Sequence, residues 1–253
     1  NVQRGGPSTG LPTKTEQSDL NQAFYGRNGE APMPIIAPST PGDCFLAAYE
    51  ACKIAIKYMT PVFYLSDGYL ANGSEPWKIP NIKDLDPIEV KFSDKPNEGD
   101  SFLPYKRDDK TLSRPWALPG TPGLEHRLGG IEKEENTGHV NYDPDNHHRM
   151  TELRQEKIAR VASDIGKTKV YGDSKGDLLI LGWGGTYGAC RSSAETLREQ
   201  NYKVSHVHLR WINPFPLDLK SILSKFKHVL IPEINMGQLI KLIRSEFLVD
   251  AKG

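Results

Sequence analysis

The chain has 253 residues, 37% of them hydrophobic, and its 32 Lys and Arg are matched by 32 Asp and Glu. That length and apolar content support a real core in one or two domains, whereas the zero net charge gives no electrostatic footprint for nucleic acid or an anionic membrane surface. A mean hydropathy of −0.53 and the lack of any apolar run of about twenty residues argue against a membrane-spanning helix. No signal-peptide pattern is written, and Cys44, Cys52 and Cys190 lack CxxC spacing. They are therefore expected to be reduced core thiols of a cytoplasmic protein, with no disulfide framework and no iron–sulfur ligand set in this chain.

Residues 1–20, NVQRGGPSTGLPTKTEQSDL, are the most distinctive stretch. Gly5, Gly6 and Gly10 free the backbone while Pro7 and Pro12 stiffen it, so the loop can hold N–H groups and hydroxyls in a fixed, unusual arrangement. Arg4 supplies a planar bidentate cation, Lys14 a second charge, and Ser8, Thr9, Thr13 and Thr15 supply hydroxyls. Such a set suits a carboxylate or phosphate oxygen, and a solvated Gly/Pro-rich turn is the plain alternative.

Beyond the loop, Glu16–Phe24 reads as a helix start, residues 34–37 as a short buried strand, and Asp43 as the cap of a helix running through Phe45, Ala48, Cys52, Ile56 and Met59, whose alanine-rich face permits close packing. Residues 61–66 give the next strand, which predicts a right-handed parallel unit. From residue 73 to residue 142 the periodicity dissolves, and nine of the 19 prolines lie between Pro76 and Pro144. That is too long for an ordinary loop, so it is either a wrapping linker or a segment ordered by a partner, and the linker is preferred. Within it, Glu125, His126 and Arg127 read as a solvated charged turn.

Asp143 and Pro144 start a helix as cap and first residue, with Met150, Leu153, Ile158, Val161 and Ile165 on its apolar side. The neighbours His147 and His148 point to different sides of it, so no metal site is expected there or at His139. Strands at 177–183, 203–209 and 228–231 alternate with helices at 187–200, 217–226 and 237–247, the pattern of a doubly wound α/β domain. Residues 213–216, Asn-Pro-Phe-Pro, break the chain between strand and helix. The run GWGGTYG at 182–188 opens a helix after a strand but lacks the GxGxxG register. His206, His208 and Arg210 stand where a ribose-binding acid belongs, so a turn packed closely between layers is the better reading.

The run RGGPSTGLPTKTEQSDL resembles the signature loop of the alpha subunit of 2-oxoacid:ferredoxin oxidoreductases. These are thiamine-diphosphate enzymes that decarboxylate a 2-oxoacid onto coenzyme A. APSTPGDCF at 37–45, LSDGYLAN at 65–72, GLEHRLGG at 123–130 and NYDPDNHHRMTELRQEKIARVA at 141–162 resemble it too, and the wording is closer to the 2-oxoglutarate branch than to the pyruvate branch. The resemblance implies an α/β fold in three parts: residues 1–72 as the end of a pyrimidine-binding domain, 73–142 as a proline-rich wrapping linker, and 143–253 as a linking helix plus a transketolase C-terminal-like domain. It also implies that the chain is part of a longer subunit.

In that family Arg4 would pair with the substrate's C1 carboxylate, Thr13 would hydrogen-bond near substrate or cofactor, and Lys14 would add positive potential. Gly5, Gly6, Pro7, Ser8 and Thr9 would shape the loop. No GDG triplet for a metal–diphosphate site is present, and the glutamate that activates the aminopyrimidine would lie upstream of Asn1, so no catalytic or metal-binding residue is assigned here. Thiamine diphosphate, Mg²⁺ and an iron–sulfur cluster would be held mostly by a beta subunit in a hetero-oligomer, with coenzyme A as cosubstrate and ferredoxin as electron acceptor. The alternatives are a pyruvate-type relative and a non-catalytic α/β scaffold.

Overall fold

The computed structural model describes residues 1–253, which form four sheets and the helices packed on them. In the first part, β1 (Val2–Gln3) is followed by α1 (Leu20–Tyr25), β2 (Ile35–Ile36), α2 (Asp43–Tyr58), β3 (Phe63–Tyr64), β4 (Ser66–Asp67) and α3 (Gly68–Asn72). β2 and β3 pair in parallel across α2, which is the expected crossover unit, and β1 pairs in parallel with β4. Residues 16–19 are not helical as the sequence reading had them. The N–H of Gln17 donates to the carbonyl of Ile234 at 3.0 Å, and this long-range bond ties the segment to the last part of the chain ahead of the turn at residues 18–19 that opens the helix at Leu20.

Along α2 the apolar series that includes Phe45 and Cys52 does not mark the buried side. Ala47, Ala51, Ile54 and Tyr58 are the buried residues, whereas Phe45 is 42% exposed and Cys52 is exposed, so Cys52 is not a core thiol. Small residues at 47 and 51 let the helix approach Ile36, Val161 and Trp211 closely, while Phe45 turns outward against Trp77, 5.6 Å between ring centroids. Asp43 is the first residue of the helix rather than its cap. Its carboxylate accepts from the N–H of Ser39 at 2.8 Å and pairs with Arg210 at 2.8 Å.

Residues 73–142 carry only a short 3-10 turn and the parallel pair of β5 (Phe92–Ser93) with β6 (Trp116–Ala117). The segment lies over α2 through polar ties: Glu75 accepts from Thr40 Oγ1 at 2.7 Å, Asp86 pairs with Lys53, and Trp116 Nε1 donates to the Ile56 carbonyl at 3.4 Å. Glu125, His126 and Arg127 are exposed. α4 (Pro144–Arg160) then begins as the sequence reading expects, with the Asp143 side chain accepting from the N–H groups of Asp145 and Asn146. His147 pairs with Glu132 and His148 with Glu152.

The last part contains β7 (Val170–Tyr171), β8 (Gly176–Trp183), α5 (Tyr187–Glu199), β9 (Val204–Leu209), β10 (Trp211–Asn213), α6 (Leu219–Leu223), β11 (Phe226–Leu230), α7 (Gln238–Phe247) and β12 (Ala251–Lys252). The main sheet runs β12-β11-β8-β9-β7. It is mixed rather than purely parallel, because the edge strand β7 is antiparallel to β9. β10 was not anticipated. The chain leaves β9 and crosses to pair antiparallel with β2, so the Asn-Pro break closes a strand that joins the two parts.

Alternation along β8 shows how the layers are made. Ile180 packs with Cys190 and Ala194 of α5, whereas Leu179, Leu181 and Trp183 join Leu219 and Leu223 of α6 and Leu239, Leu242 and Ile243 of α7. Leu20, Ile35 and Leu65 belong to that same cluster. The first part therefore packs onto the α6/α7 face of the sheet and shares its core. No helix is long and apolar enough to cross a membrane.

Candidate functional site

The loop 4–14 is tied into a hoop by its own backbone. The N–H of Gly5 donates to the Lys14 carbonyl at 2.8 Å, that of Leu11 to the Gly5 carbonyl at 2.7 Å, and that of Lys14 to the Leu11 carbonyl at 3.0 Å. Gly10 sits at φ +53°, and a Cβ there would lie 1.9 Å from the Gly5 carbonyl oxygen, so only glycine fits. Ser8 takes a positive φ of 60°, a conformation that stores strain in a non-glycine residue. Gly6 donates its N–H to Glu16 Oε2 at 3.3 Å, which fixes the hoop from below.

Arg4, Thr13 and Lys14 are all exposed on this hoop. The Gly5–Lys14 bond holds the backbone next to Arg4 against that of Lys14. Their side chains form no hydrogen bond or ion pair within the chain, and Ser8 and Thr9 are exposed at the tip. A cationic and hydroxyl-bearing surface without internal partners is the donor set that an external carboxylate requires.

What seats the hoop is a group of buried polar side chains that the sequence reading did not single out. Asp67, 1% exposed, accepts from the N–H groups of Tyr69 at 3.0 Å and Leu70 at 3.1 Å, capping α3. The same oxygen accepts from Thr15 Oγ1 at 3.4 Å, and the other accepts from the N–H of Gly185 at 2.6 Å. Gln17 is fully buried. Its Nε2 donates to the Trp183 carbonyl at 2.7 Å and its Oε1 accepts from the N–H of Ile234 at 3.1 Å. Gln3, also fully buried, bridges the Ser66 carbonyl and the N–H of Asp19. The one sequence signal for Asp67 was its place before Gly68 at a strand end, a cap pattern for a helix too short to show periodicity.

The glycine-rich turn 182–188 is the other half of this seat. A Cβ on Gly185 would stand 2.5 Å from Asp67 Oδ1 and one on Gly184 2.9 Å from Gln17 Nε2. The glycines admit the loop's anchors, which agrees with the close-packing reading and not with a nucleotide cradle. Next to the seat is a mostly apolar cavity of about 530 Å³ walled by Thr15, Tyr69, Gly185, Thr186, Cys190 and Ile234. Burial pushes the Cys190 thiol up, so it lies there as a neutral group and not as a nucleophile. No group of His, Cys, Asp or Glu is arranged to hold a metal ion.

A cationic hoop, held by buried carboxylate and amide groups on the glycine-rich end of an α/β sheet, is the candidate ligand-binding part of an α/β protein. Residues 1–143 match the family described as "Pyruvate flavodoxin/ferredoxin oxidoreductase, thiamine diP-bdg", and residues 176–250 match "Pyruvate:ferredoxin oxidoreductase core domain II"; the chain belongs to this thiamine-diphosphate-binding oxidoreductase family. It is 51% identical over 252 residues to the 2-oxoglutarate oxidoreductase subunit KorA of Mycobacterium tuberculosis, covering 99% of this chain and 38% of that protein. It is 32% identical over 251 residues to the alpha subunit of 2-oxoacid:ferredoxin oxidoreductase 1 of Aeropyrum pernix, covering 96% of this chain and 38% of that one. Among solved structures, the 2-oxoglutarate:ferredoxin oxidoreductase from Magnetococcus marinus with 2-oxoglutarate, coenzyme A and succinyl-CoA bound superposes with a TM-score of 0.89 at 36% identity, over 99% of this chain and 44% of that one. The chain thus spans well under half the length of these relatives.

Proposed function

We propose that this chain is part of the alpha subunit of a cytoplasmic 2-oxoglutarate:ferredoxin oxidoreductase, which decarboxylates the oxoacid, passes its electrons to ferredoxin and releases an acyl-CoA. The observation that carries the reading is the hoop itself, closed by the Gly5–Lys14 backbone bond, on which Arg4 and Lys14 are exposed without an ion pair and Thr13 adds a hydroxyl. The 51% identity to a 2-oxoglutarate oxidoreductase subunit supports the choice of oxoacid.

Arg4 holds the C1 carboxylate through paired N–H groups, Thr13 hydrogen-bonds beside it, and Lys14 adds potential that draws in a dianionic substrate. Gly5, Gly6, Pro7, Ser8 and Thr9 keep the hoop in shape. Thiamine diphosphate, when bound, would supply the electron sink that lets the 2-oxoacid lose CO2. The donors on this hoop fit a carboxylate and offer no acidic ligands for a metal–diphosphate end, so Mg²⁺, diphosphate and the iron–sulfur cluster fall to a beta subunit in a hetero-oligomer. On this reading residues 1–72 close a pyrimidine-binding domain, 73–142 wrap over it, and 143–253 form the linking helix and transketolase C-terminal-like domain. Substrate binding to the purified complex tests the proposal: Arg4→Ala should weaken binding of 2-oxoglutarate about tenfold or more, the worth of one charge-assisted pair. Unchanged affinity would remove Arg4 from the site.

A further inference from the structure

A second cavity, of about 640 Å³, opens between α2 and the segment 87–116 and shares no residue with the hoop. Lys53, Lys57, Lys91, Lys106, Arg107 and Arg114 line it, against the acids Glu89 and Asp108 only. Asp108 is already committed, accepting from the N–H groups of Lys110 and Thr111 and from the Thr111 hydroxyl. Of the cations, Lys53, Lys57 and Lys106 have carboxylate partners in Asp86, Asp164 and Glu98.

Lys91, Arg107 and Arg114 form no ion pair. Arg107 donates only to the Glu135 carbonyl at 3.0 Å and to Met150 Sδ at 3.5 Å, and its Nε is buried with no partner at all. Both guanidinium groups lie on the Tyr105 ring, 5.5 Å for Arg107 and 4.6 Å for Arg114 from its centroid. Behind them stands Lys157 of α4, pulled down to about 8 by burial first and then by these two arginines. Glu135, the carboxylate that acts on Arg107, is itself paired with Arg149, and half-buried like charges repel one another unless a further anion is brought among them.

The apolar part of the lining is formed by Ile56, Ile88 and Trp116. The Trp116 indole is fixed by its bond to the Ile56 carbonyl and is 36% exposed, a flat surface on which a ring can stack. The volume is that of a small-molecule site. A single carboxylate would leave most of these charges unmet, whereas a chain of phosphates meets several at once.

We propose that this cavity binds a small polyphosphate of the nucleotide class, its phosphates on Lys91, Arg107 and Arg114 and its ring against Trp116. The chemistry is shared by a free nucleotide and by the phosphoadenosine end of coenzyme A, and the experiment separates the two. Equilibrium binding of ATP, of coenzyme A and of inorganic tripolyphosphate is measured on the purified complex, saturated with thiamine diphosphate, as wild type and as the Lys91→Ala, Arg114→Gln and Trp116→Leu variants. Lys91 is exposed, so its variant leaves the fold intact whatever becomes of the others.

ATP and tripolyphosphate should each lose about tenfold or more in affinity in both cation variants, and Trp116→Leu should weaken ATP while sparing tripolyphosphate. Coenzyme A weakened in parallel identifies its phosphoadenosine end as the occupant; coenzyme A unchanged while ATP weakens identifies a free nucleotide. Absence of wild-type binding by ATP and tripolyphosphate at moderate salt, or binding that neither cation variant alters, overturns the proposal.

Discussion

Asp67 accepts a 2.6 Å hydrogen bond from the backbone N–H of Gly185, a residue 118 positions further along the chain. Its other oxygen caps α3 and takes the Thr15 hydroxyl. One buried carboxylate thus fastens the hoop's trailing edge, a helix start and the glycine turn of the second sheet. Its removal leaves several buried N–H groups without partners, each costing about 1–3 kcal/mol. Asp67→Ala should therefore lower stability by about 3 kcal/mol or more and Asp67→Asn by clearly less, read from the denaturant midpoint of the purified protein. Equal midpoints for both variants would mean that the carboxylate oxygens are not the fastening.

Gly10 is required by shape alone. An alanine there must hold a left-handed φ, costing about 1–2 kcal/mol, and must also move the Gly5 carbonyl from within 1.9 Å of its Cβ. Gly10→Ala should raise KM for the oxoacid with a smaller change in kcat, because the hoop that carries Arg4 is displaced. Steady-state kinetics check it, and an unaltered KM would show that the hoop's shape does not matter to binding.

Stability should fall on acidification because of the histidines on β9. His206 is 2% exposed with an unpartnered Nε2. Burial first and then Arg191 pull its pKa down to about 4, with Glu195 opposing. In the unfolded chain it titrates near its ordinary value, so below that value the unfolded state binds a proton that the folded state refuses. The stabilising difference is whole above about pH 6.5 and is lost as pH falls toward 4, amounting to roughly 2 kcal/mol by pH 5. His208, pulled to about 3 by burial and by His206, acts in the same direction. Unfolding midpoints between pH 7 and pH 5 should show a shallower slope for His206→Gln than for wild type, whatever its starting stability.

Helix α7 depends on a side chain outside it. Glu233 accepts from the N–H groups of Leu239 at 2.8 Å and Ile240 at 3.1 Å and from Trp183 Nε1 at 3.3 Å. Glu233→Ala should cost about 1–2 kcal/mol through the lost cap and should raise amide exchange at Leu239 and Ile240 before the rest of the helix. Uniform exchange along α7 would contradict that placing.

The long elements are legible in the sequence, because the unbroken apolar run Leu178–Leu181 of β8 reads as a strand buried on both faces and the Asp-Pro start of α4 leaves little choice. The glycines, prolines and cations of residues 4–14 stand out in the sequence, but a solvated turn accounts for them equally well there; the closed hoop comes from backbone bonds such as Gly5 to Lys14 that no sequence pattern specifies. On α2 the alanine-rich face is legible and does pack closely through Ala47 and Ala51, whereas the apolar series that includes Phe45 and Cys52 does not mark the buried side, because close helix packing there leaves no room for a ring. The seat of the hoop was invisible for a different reason. Gln3, Gln17 and Asp67 are ordinary polar residues in the sequence, and only tertiary contacts across the chain bury them. β10 escaped notice because its partner β2 lies in the other part of the molecule.

The central claim is that this chain presents Arg4 to the carboxylate of a 2-oxoacid in a ferredoxin-linked oxidoreductase. The most direct measurement is coenzyme-A-dependent viologen reduction by the complex containing this chain, with 2-oxoglutarate and with pyruvate in separate assays, for wild type and Arg4→Ala. Turnover with 2-oxoglutarate well above that with pyruvate, and a KM raised about tenfold or more in the variant, is the predicted result. No turnover with either oxoacid from a cofactor-replete complex, or an Arg4→Ala variant indistinguishable from wild type, would contradict it.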